Sequence, residues 1–209
     1  MKYLSHRLSA AMWSRVLLLW LVLCVGTVAV GGVALWLGTF VQENVRNELA
    51  AQQISFGPEE GLSDSERAIP GVVENAGLPL TNGNQAQVYA EYIGLHMRES
   101  AEAAGFPGAV YSTLGGIQRE LRTAVAAATE AGDEEALEEA NAQLTAATNL
   151  RNTMLTGSTL RGTLFSAYGW DNVATGMITA GAVIIASSLL FLVLFIYELR
   201  RGHLPPTEA

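Results

Sequence analysis

The chain has 209 residues, half of them apolar, with twelve basic and twenty acidic residues and a net charge of −8. So acidic a balance argues against a nucleic-acid partner, because phosphates are bound by basic patches. A single cysteine, Cys24, excludes an intramolecular disulfide and leaves the redox compartment unread.

The apolar residues are concentrated in two runs. Residues 16–41 contain no charge, and neither do residues 172–197. As a helix each run would be about 39 Å long, whereas a bilayer core is about 30 Å thick. Both are read as transmembrane helices. A secretory signal is the competing reading for the first, since Lys2, Arg7 and Arg15 precede it. Its apolar stretch is far longer than the about 7–15 residues of such signals, and only Ala29-Val30-Gly31 resembles a cleavage site. A lipoprotein reading of Cys24 fails because Leu23 stands where a small residue is required.

Charge sets the expected orientation. The ends, 1–15 and 198–209, carry five basic and two acidic residues, and residues 42–171 carry seven basic and eighteen acidic, a net of −11. Basic flanks stay cytoplasmic. The expectation is a cytoplasmic N-terminus (1–15), a first span (16–41), an extracytoplasmic domain (42–171), a second span (172–197) and a cytoplasmic C-terminus (198–209), in the plasma membrane. Trp13, Trp20 and Tyr197 then fall at the inner interface, and Trp36, Tyr168 and Trp170 at the outer one.

After the first span, residues 41–53 continue with helix formers and no breaker, until Gly57-Pro58 ends the helix. Residues 57–84, with Pro58, Pro70 and Pro79, read as an irregular loop, with a short extended piece at 54–56 the one strand candidate. The acidic Glu59-Glu60 pair lacks the alternating ligands of a calcium loop. Residues 84–104 and 112–131 read as helices. Gly132 suits a helix C-terminus and Asp133 an N-cap, followed by Glu134 and Glu135 in a favourable first turn. The next helix runs through Leu137, Leu144, Leu150 and Met154, making an alanine-rich αα-hairpin with its predecessor. Residues 157–171 lead into the second span. The fold class is therefore mainly α: two transmembrane helices flanking a helical extracytoplasmic domain with an αα-hairpin.

The candidate chemistry lies at residues 89–99, YAEYIGLHMRE. Tyr92, His96 and Glu99 share one helix face, and an imidazole beside a carboxylate suits a metal ligand or an acid–base pair. A zinc or nonhaem iron site needs further ligands. His6 and His203 belong to the expected inner side, so His96 is the only histidine of the central domain. The order His96-x-x-Glu99 reverses that of di-iron bundles and does not recur. There is no nucleophile elbow, no phosphate-binding glycine loop and no dinucleotide fingerprint. No catalytic, cofactor-binding or metal residue is assigned, and no cofactor is expected. Tyr92 and Leu95 are read as packing, with His96 and Glu99 on a contact or pH-sensitive face.

Inside the spans no residue is ionisable apart from Cys24, which argues against a proton-coupled transporter made of this chain alone. Small residues at four-residue spacing, Thr27 with Gly31, Gly176 with Ala180 and Ala182 with Ala186, are the expected helix–helix contacts, within the chain or with a partner.

Three stretches, VQENVRNELAAQQISF (41–56), QAQVYAEYIGLHM (85–97) and TLRGTLFSAYGW (159–170), resemble in order an actinobacterial family of two-span membrane proteins without assigned function. One lysine against eleven arginines accords with a GC-rich genome. Relatives are sometimes labelled aromatic ring-opening dioxygenases. The residues here lack the iron ligands that label implies, and the resemblance carries over no catalytic residue. The expected function is a non-catalytic envelope protein whose partners are the lipid bilayer and a membrane or envelope protein, with a homo-oligomer as one form. The alternatives are an accessory subunit of a transporter or respiratory complex, and a metal-dependent enzyme centred on His96.

Overall fold

The computed structural model describes residues 10–201. The expectations for Lys2, Arg7, His6 and His203 fall outside the described residues. The described chain is helical: α1 (Ala10–Ala51), a single 3-10 turn (Glu59–Gly61), α2 (Asp64–Arg67), α3 (Val72–Asn75), α4 (Gly83–Ala103), α5 (Tyr111–Ala131) and α6 (Glu134–Arg201). The extended piece expected at 54–56 amounts to one isolated bridge, Ser55 to Pro79. It is flanked by hydrogen bonds donated by the Phe56 amide to the Leu78 carbonyl and by the Leu80 amide to the Ile54 carbonyl.

Two helices, α1 and α6, are long and apolar enough to cross a membrane. Each runs uninterrupted beyond its charge-free stretch. α1 has 42 residues and stops where Gln53 takes a positive φ of 53°. α6 has 68 residues, because nothing between Glu134 and Arg201 breaks the helix: it contains no proline, and its glycines stand singly. By contacts the described residues divide into two compact units: those up to Asn44 and from Asn172, and Val45–Asp171.

In the first unit, α1 and α6 pair antiparallel. The Trp13 indole donates to the Glu198 carbonyl at 3.2 Å, Trp20 stacks on Phe191, and the Cys24 thiol lies 3.6 Å from the Ser188 carbonyl. The closest approaches are made by glycine. A Cβ on Gly31 would lie 2.9 Å from the Gly181 carbonyl, and one on Gly38 would lie 2.9 Å from the Ala174 carbonyl. The buried small positions recur every seven residues, as Gly31 and Gly38 on α1 and as Ala174, Gly181 and Ser188 on α6. A seven-residue repeat keeps two slightly supercoiled helices in register over many turns. Four-residue spacing suits the steeper right-handed crossing.

That geometry corrects the expected intrachain contact. Of the residues named from the sequence, Gly31 lies in the seam. Gly176, Ala180, Ala182 and Ala186 are on exposed positions of α6, and a Cβ on Gly176 would meet nothing within 4 Å. Thr27 is half-buried and turns its hydroxyl onto its own helix, at the Leu23 carbonyl. Large apolar side chains point outward from both helices, among them Val25, Val33, Val183 and Leu189.

The second unit has two apolar clusters joined by α4 and α6. In the first, Leu49 at the end of α1, Phe56 and Leu80 of the connecting segment, Ala86 and Ala90 of α4, and Leu164 of α6 are buried together. In the second, Ala101 of α4, Leu114 of α5, and Ala147, Leu150 and Met154 of α6 pack together. Alanine at the contact faces lets the helices approach closely, so the glycines beneath arginine or methionine are tight: Gly94 lies under the Arg161 guanidinium, whose Nε donates to the Ala90 carbonyl at 2.9 Å. Between α5 and α6, Gly132 takes the left-handed conformation (φ 67°) that glycine adopts without strain, and Asp133 accepts the Ala136 amide as N-cap of α6.

Residues 57–84, read as irregular, contain ordered turns. Ser63 opens α2 with a reciprocal capping box: its hydroxyl accepts the Glu66 amide, and the Glu66 carboxylate accepts the Ser63 amide at 2.6 Å. α3 follows Gly71, which has φ 90° and sits against Val88 of α4. The start of α4 is fixed twice, by Asn82 accepting the Gln85 amide and by Asp171 accepting the Gly83 amide at 3.2 Å.

Candidate functional site

The capping box aims Glu66 away from solvent. Serine at the N-cap and glutamate three residues later is the pattern that satisfies two free amides at a helix start. Here it also fixes one carboxylate oxygen, Oε2, on the Ser63 amide and leaves Oε1 to face α4. Across from it, α4 presents Tyr92, His96 and Glu99, which helical spacing places on one face.

The structure joins these residues into one network. His96 Nε2 lies 3.1 Å from Glu66 Oε1, and His96 Nδ1 lies 3.2 Å from Glu99 Oε2. The imidazole thus bridges two carboxylates, one from α2 and one a turn ahead on its own helix. Ser65 of α2 donates to the other oxygen of Glu99 at 3.1 Å. The Tyr92 ring packs edge-on to the imidazole, with centroids 4.5 Å apart, and its hydroxyl bonds Glu66. Tyr89 and Phe56 extend the aromatic contact into the first apolar cluster.

The two carboxylates have different surroundings. The Glu66 side chain is 10% exposed, against 45% for Glu99 and 44% for His96. Glu66 is nevertheless held below the usual carboxylate range. The Ser63 amide is the largest cause and outweighs the opposing effect of burial, and the Tyr92 hydroxyl, the Ser63 hydroxyl and the charge of His96 add to it. Tyr92 responds in the opposite sense: burial, and next the bond to and charge of Glu66, push its phenol up to about 12. Glu66 is the anchored, ionised centre of the site, and Glu99 is its solvated arm.

This geometry constrains the chemistry. An imidazole acting as general base needs a nitrogen free toward substrate, and both nitrogens of His96 face carboxylates. A single metal ion needs its ligands to converge, whereas Glu66 and Glu99 sit on different nitrogens of the ring. No group of three or more His, Cys, Asp or Glu among the described residues is arranged to hold a metal ion. The Ser63 and Ser65 hydroxyls bond to each other, Ser63 also accepts the Glu66 amide, and Ser65 donates to the Glu99 carboxylate. What the arrangement can do is hold α2 to α4 through a titratable bridge.

Beside His96 lies an open groove of about 460 Å³, with Ile93 and Met97 of α4 on one wall and Asn152, Thr153 and Thr156 of α6 on the other. Gly157 allows the close approach at its floor, where an added Cβ would lie 2.6 Å from the Met97 sulfur.

From the sequence, Tyr92, His96 and Glu99 were placed on one face, and the structure brings all three together. Glu66 went unassigned, although it carries the site. The signal for it was Ser63-Asp64-Ser65-Glu66, a capping-box pattern inside a segment read as irregular. Leu95, read as packing, is half-buried.

Comparison with protein-family models, with curated proteins and with solved structures finds no significant match to this chain.

Proposed function

We propose that the chain is a non-catalytic integral membrane protein of the cell envelope that presents an acidic helical domain for protein contacts. In this reading α1 and α6 each cross the plasma membrane, both termini are cytoplasmic, and residues 42–171, which include an αα-hairpin of α5 and the start of α6, are extracytoplasmic. The observation that carries it is the packing of the two apolar helices. They meet through a narrow seam of small residues and turn Val25, Val33, Val183 and Leu189 outward. Such surfaces are costly in water and favourable in lipid. The orientation rests on charge, with Arg15, Arg200 and Arg201 at the ends of the spans and a net of −11 on residues 42–171. The resemblance to two-span actinobacterial proteins belongs to the same reading and assigns no chemistry. His96 supports the non-catalytic part, since both its nitrogens are taken by carboxylates.

Cysteine accessibility in intact cells tests the topology. In a Cys24→Ser background, Ser63→Cys is expected to react with a membrane-impermeant maleimide, and Thr207→Cys only after the cells are opened. Labelling of Thr207→Cys in sealed cells, or protection of Ser63→Cys until lysis, would reverse or abolish the proposed orientation.

A further inference from the structure

We infer that the Glu66–His96–Glu99 bridge is a protonation-dependent latch, closed when His96 carries two protons and loosened when it carries one, that controls how firmly the α2 turn is held on α4. The geometry leads there directly. Each ring nitrogen has a carboxylate oxygen within 3.2 Å, and a carboxylate is only an acceptor. Both contacts are hydrogen bonds only if both nitrogens bear protons, because a neutral imidazole has one N–H and one lone pair.

The groups facing His96 decide which contact gives way. From α2 they are Glu66 and, through Glu99, the Ser65 hydroxyl; from α4 they are Tyr92 and Glu99; α6 offers only Asn152, Thr153 and Thr156 across the groove, none of which titrates. Glu66 is buried and fixed by the Ser63 amide, and it stays ionised well below neutrality. Glu99 is half in solvent. When a proton leaves His96 for water, the remaining one is best kept on Nε2, facing the buried carboxylate, for a buried acceptor left unmatched is the costlier loss. Nδ1 then points a lone pair at Glu99. That carboxylate turns to water and withdraws the acceptor of the Ser65 hydroxyl. α2 loses the Ser65–Glu99 tie to α4 and the charge assistance of the Glu66–His96 one, and keeps the bond from the Tyr92 hydroxyl to Glu66. The apolar packing of Phe56, Val72 and Leu80 is untouched, so the change is confined to the turn and to the mouth of the groove that His96 borders. The coupling is local to residues 63–99 and operates on either side of a membrane.

Hydrogen exchange of the full-length protein in detergent tests this, read at the Ser63 and Glu66 amides that close the capping box and divided at each pH by the intrinsic rate. Protection is expected to fall roughly tenfold or more as His96 deprotonates, the loss of one charge-assisted bond. The titration of His96 itself is followed by its ring proton signals, with His6→Gln and His203→Gln to remove the other two histidines. His96→Gln is expected to abolish the pH response. Glu99→Gln, a change at a solvated position, is expected to shrink it, because the glutamine amide can donate to the neutral ring. Helicity measured on each variant separates a misfolded protein from an unlatched one. A wild-type protein whose two amides keep the same protection across the His96 titration would overturn the inference. So would a folded His96→Gln or Glu99→Gln protein that responds to pH as the wild type does.

Discussion

The seam between α1 and α6 can be probed by adding one methyl group at two glycines of the same helix. A Cβ on Gly181 would lie 2.8 Å from the Gly31 carbonyl oxygen and 2.9 Å from the Leu35 amide nitrogen. Both neighbours are backbone, so no side chain can turn aside, and the helices must separate. A Cβ on Gly176, five residues earlier, would meet nothing within 4 Å. Overpacking of a close contact costs about 1–3 kcal/mol, and glycine to alanine in an unobstructed helix gains about 0.5–1 kcal/mol. For a chain of this size each kcal/mol moves the melting temperature by about 2–4 °C, so Gly181→Ala is expected to lower it by about 2–12 °C and Gly176→Ala to leave it unchanged or raise it. Thermal unfolding of the full chain in detergent gives the first measurement. Disulfide trapping gives the second: the native Cys24 and a Ser188→Cys partner, whose backbone oxygen lies 3.6 Å from the Cys24 sulfur, are expected to cross-link readily, and more slowly when Gly181→Ala is added. Equal melting temperatures for the two alanine variants, or undiminished cross-linking in the presence of Gly181→Ala, would refute the close-packed seam.

Two ionisations in the site have opposite pH windows. The folded-state pKa of Glu66 is depressed, so its contribution to stability is present above the ordinary carboxyl value of 4.5 and is lost as pH falls through the folded value; Glu66→Gln is expected to flatten that acid limb in denaturation measured against pH. The Tyr92 phenol is raised from 10.0 to about 12, so its contribution is full below pH 10 and lost toward 12; phenolate absorbance is expected to show a late step that disappears in Tyr92→Phe. At the start of α4, Asp171→Ala frees the Gly83 amide and removes a carboxylate from a helix N-terminus, for a cost of about 0.5–2 kcal/mol. Gly83→Ala pushes its new Cβ onto the Asp171 Cβ, which alanine keeps and glycine lacks, so the double variant with Asp171→Gly is expected to cost less than its two single effects added, as measured by exchange of the first-turn amides of α4.

Most of the helical skeleton could be read from the sequence because its signals are local. Breaker and capping signals such as the Gly105–Pro107 stretch and the Gly132-Asp133 junction act over a few residues, and the helices they delimit fall close to where the sequence put them: α4 at Gly83–Ala103 for an expected 84–104, and α5 at Tyr111–Ala131 for an expected 112–131; α1 ends earlier than its Gly57-Pro58 signal, at Ala51. The contacts between elements were harder to read, and the reasons differ. The seam was legible at the wrong period. Small residues four apart are frequent in any glycine- and alanine-rich helix, whereas Gly31 and Gly38 facing Gly181 and Ala174 stand seven apart, the spacing that nearly antiparallel helices need.

The site was hidden for a different reason. Helical spacing on α4 gives His96 only Tyr92 and Glu99 as neighbours, and Glu66 is thirty residues away, in a stretch whose glycines and prolines read as irregular. Glycine and proline break long helices, but they leave room for one-turn helices whose caps carry the structure. In such a turn the capping residue is committed to the backbone before it meets anything else, so a capping glutamate can serve as a fixed, ionised anchor. Glu66 does this: the Ser63 amide fixes one oxygen, and the other is left for His96. The histidine then ties a local backbone device to a distant helix, and its protonation state becomes a structural variable without the residue having to be catalytic.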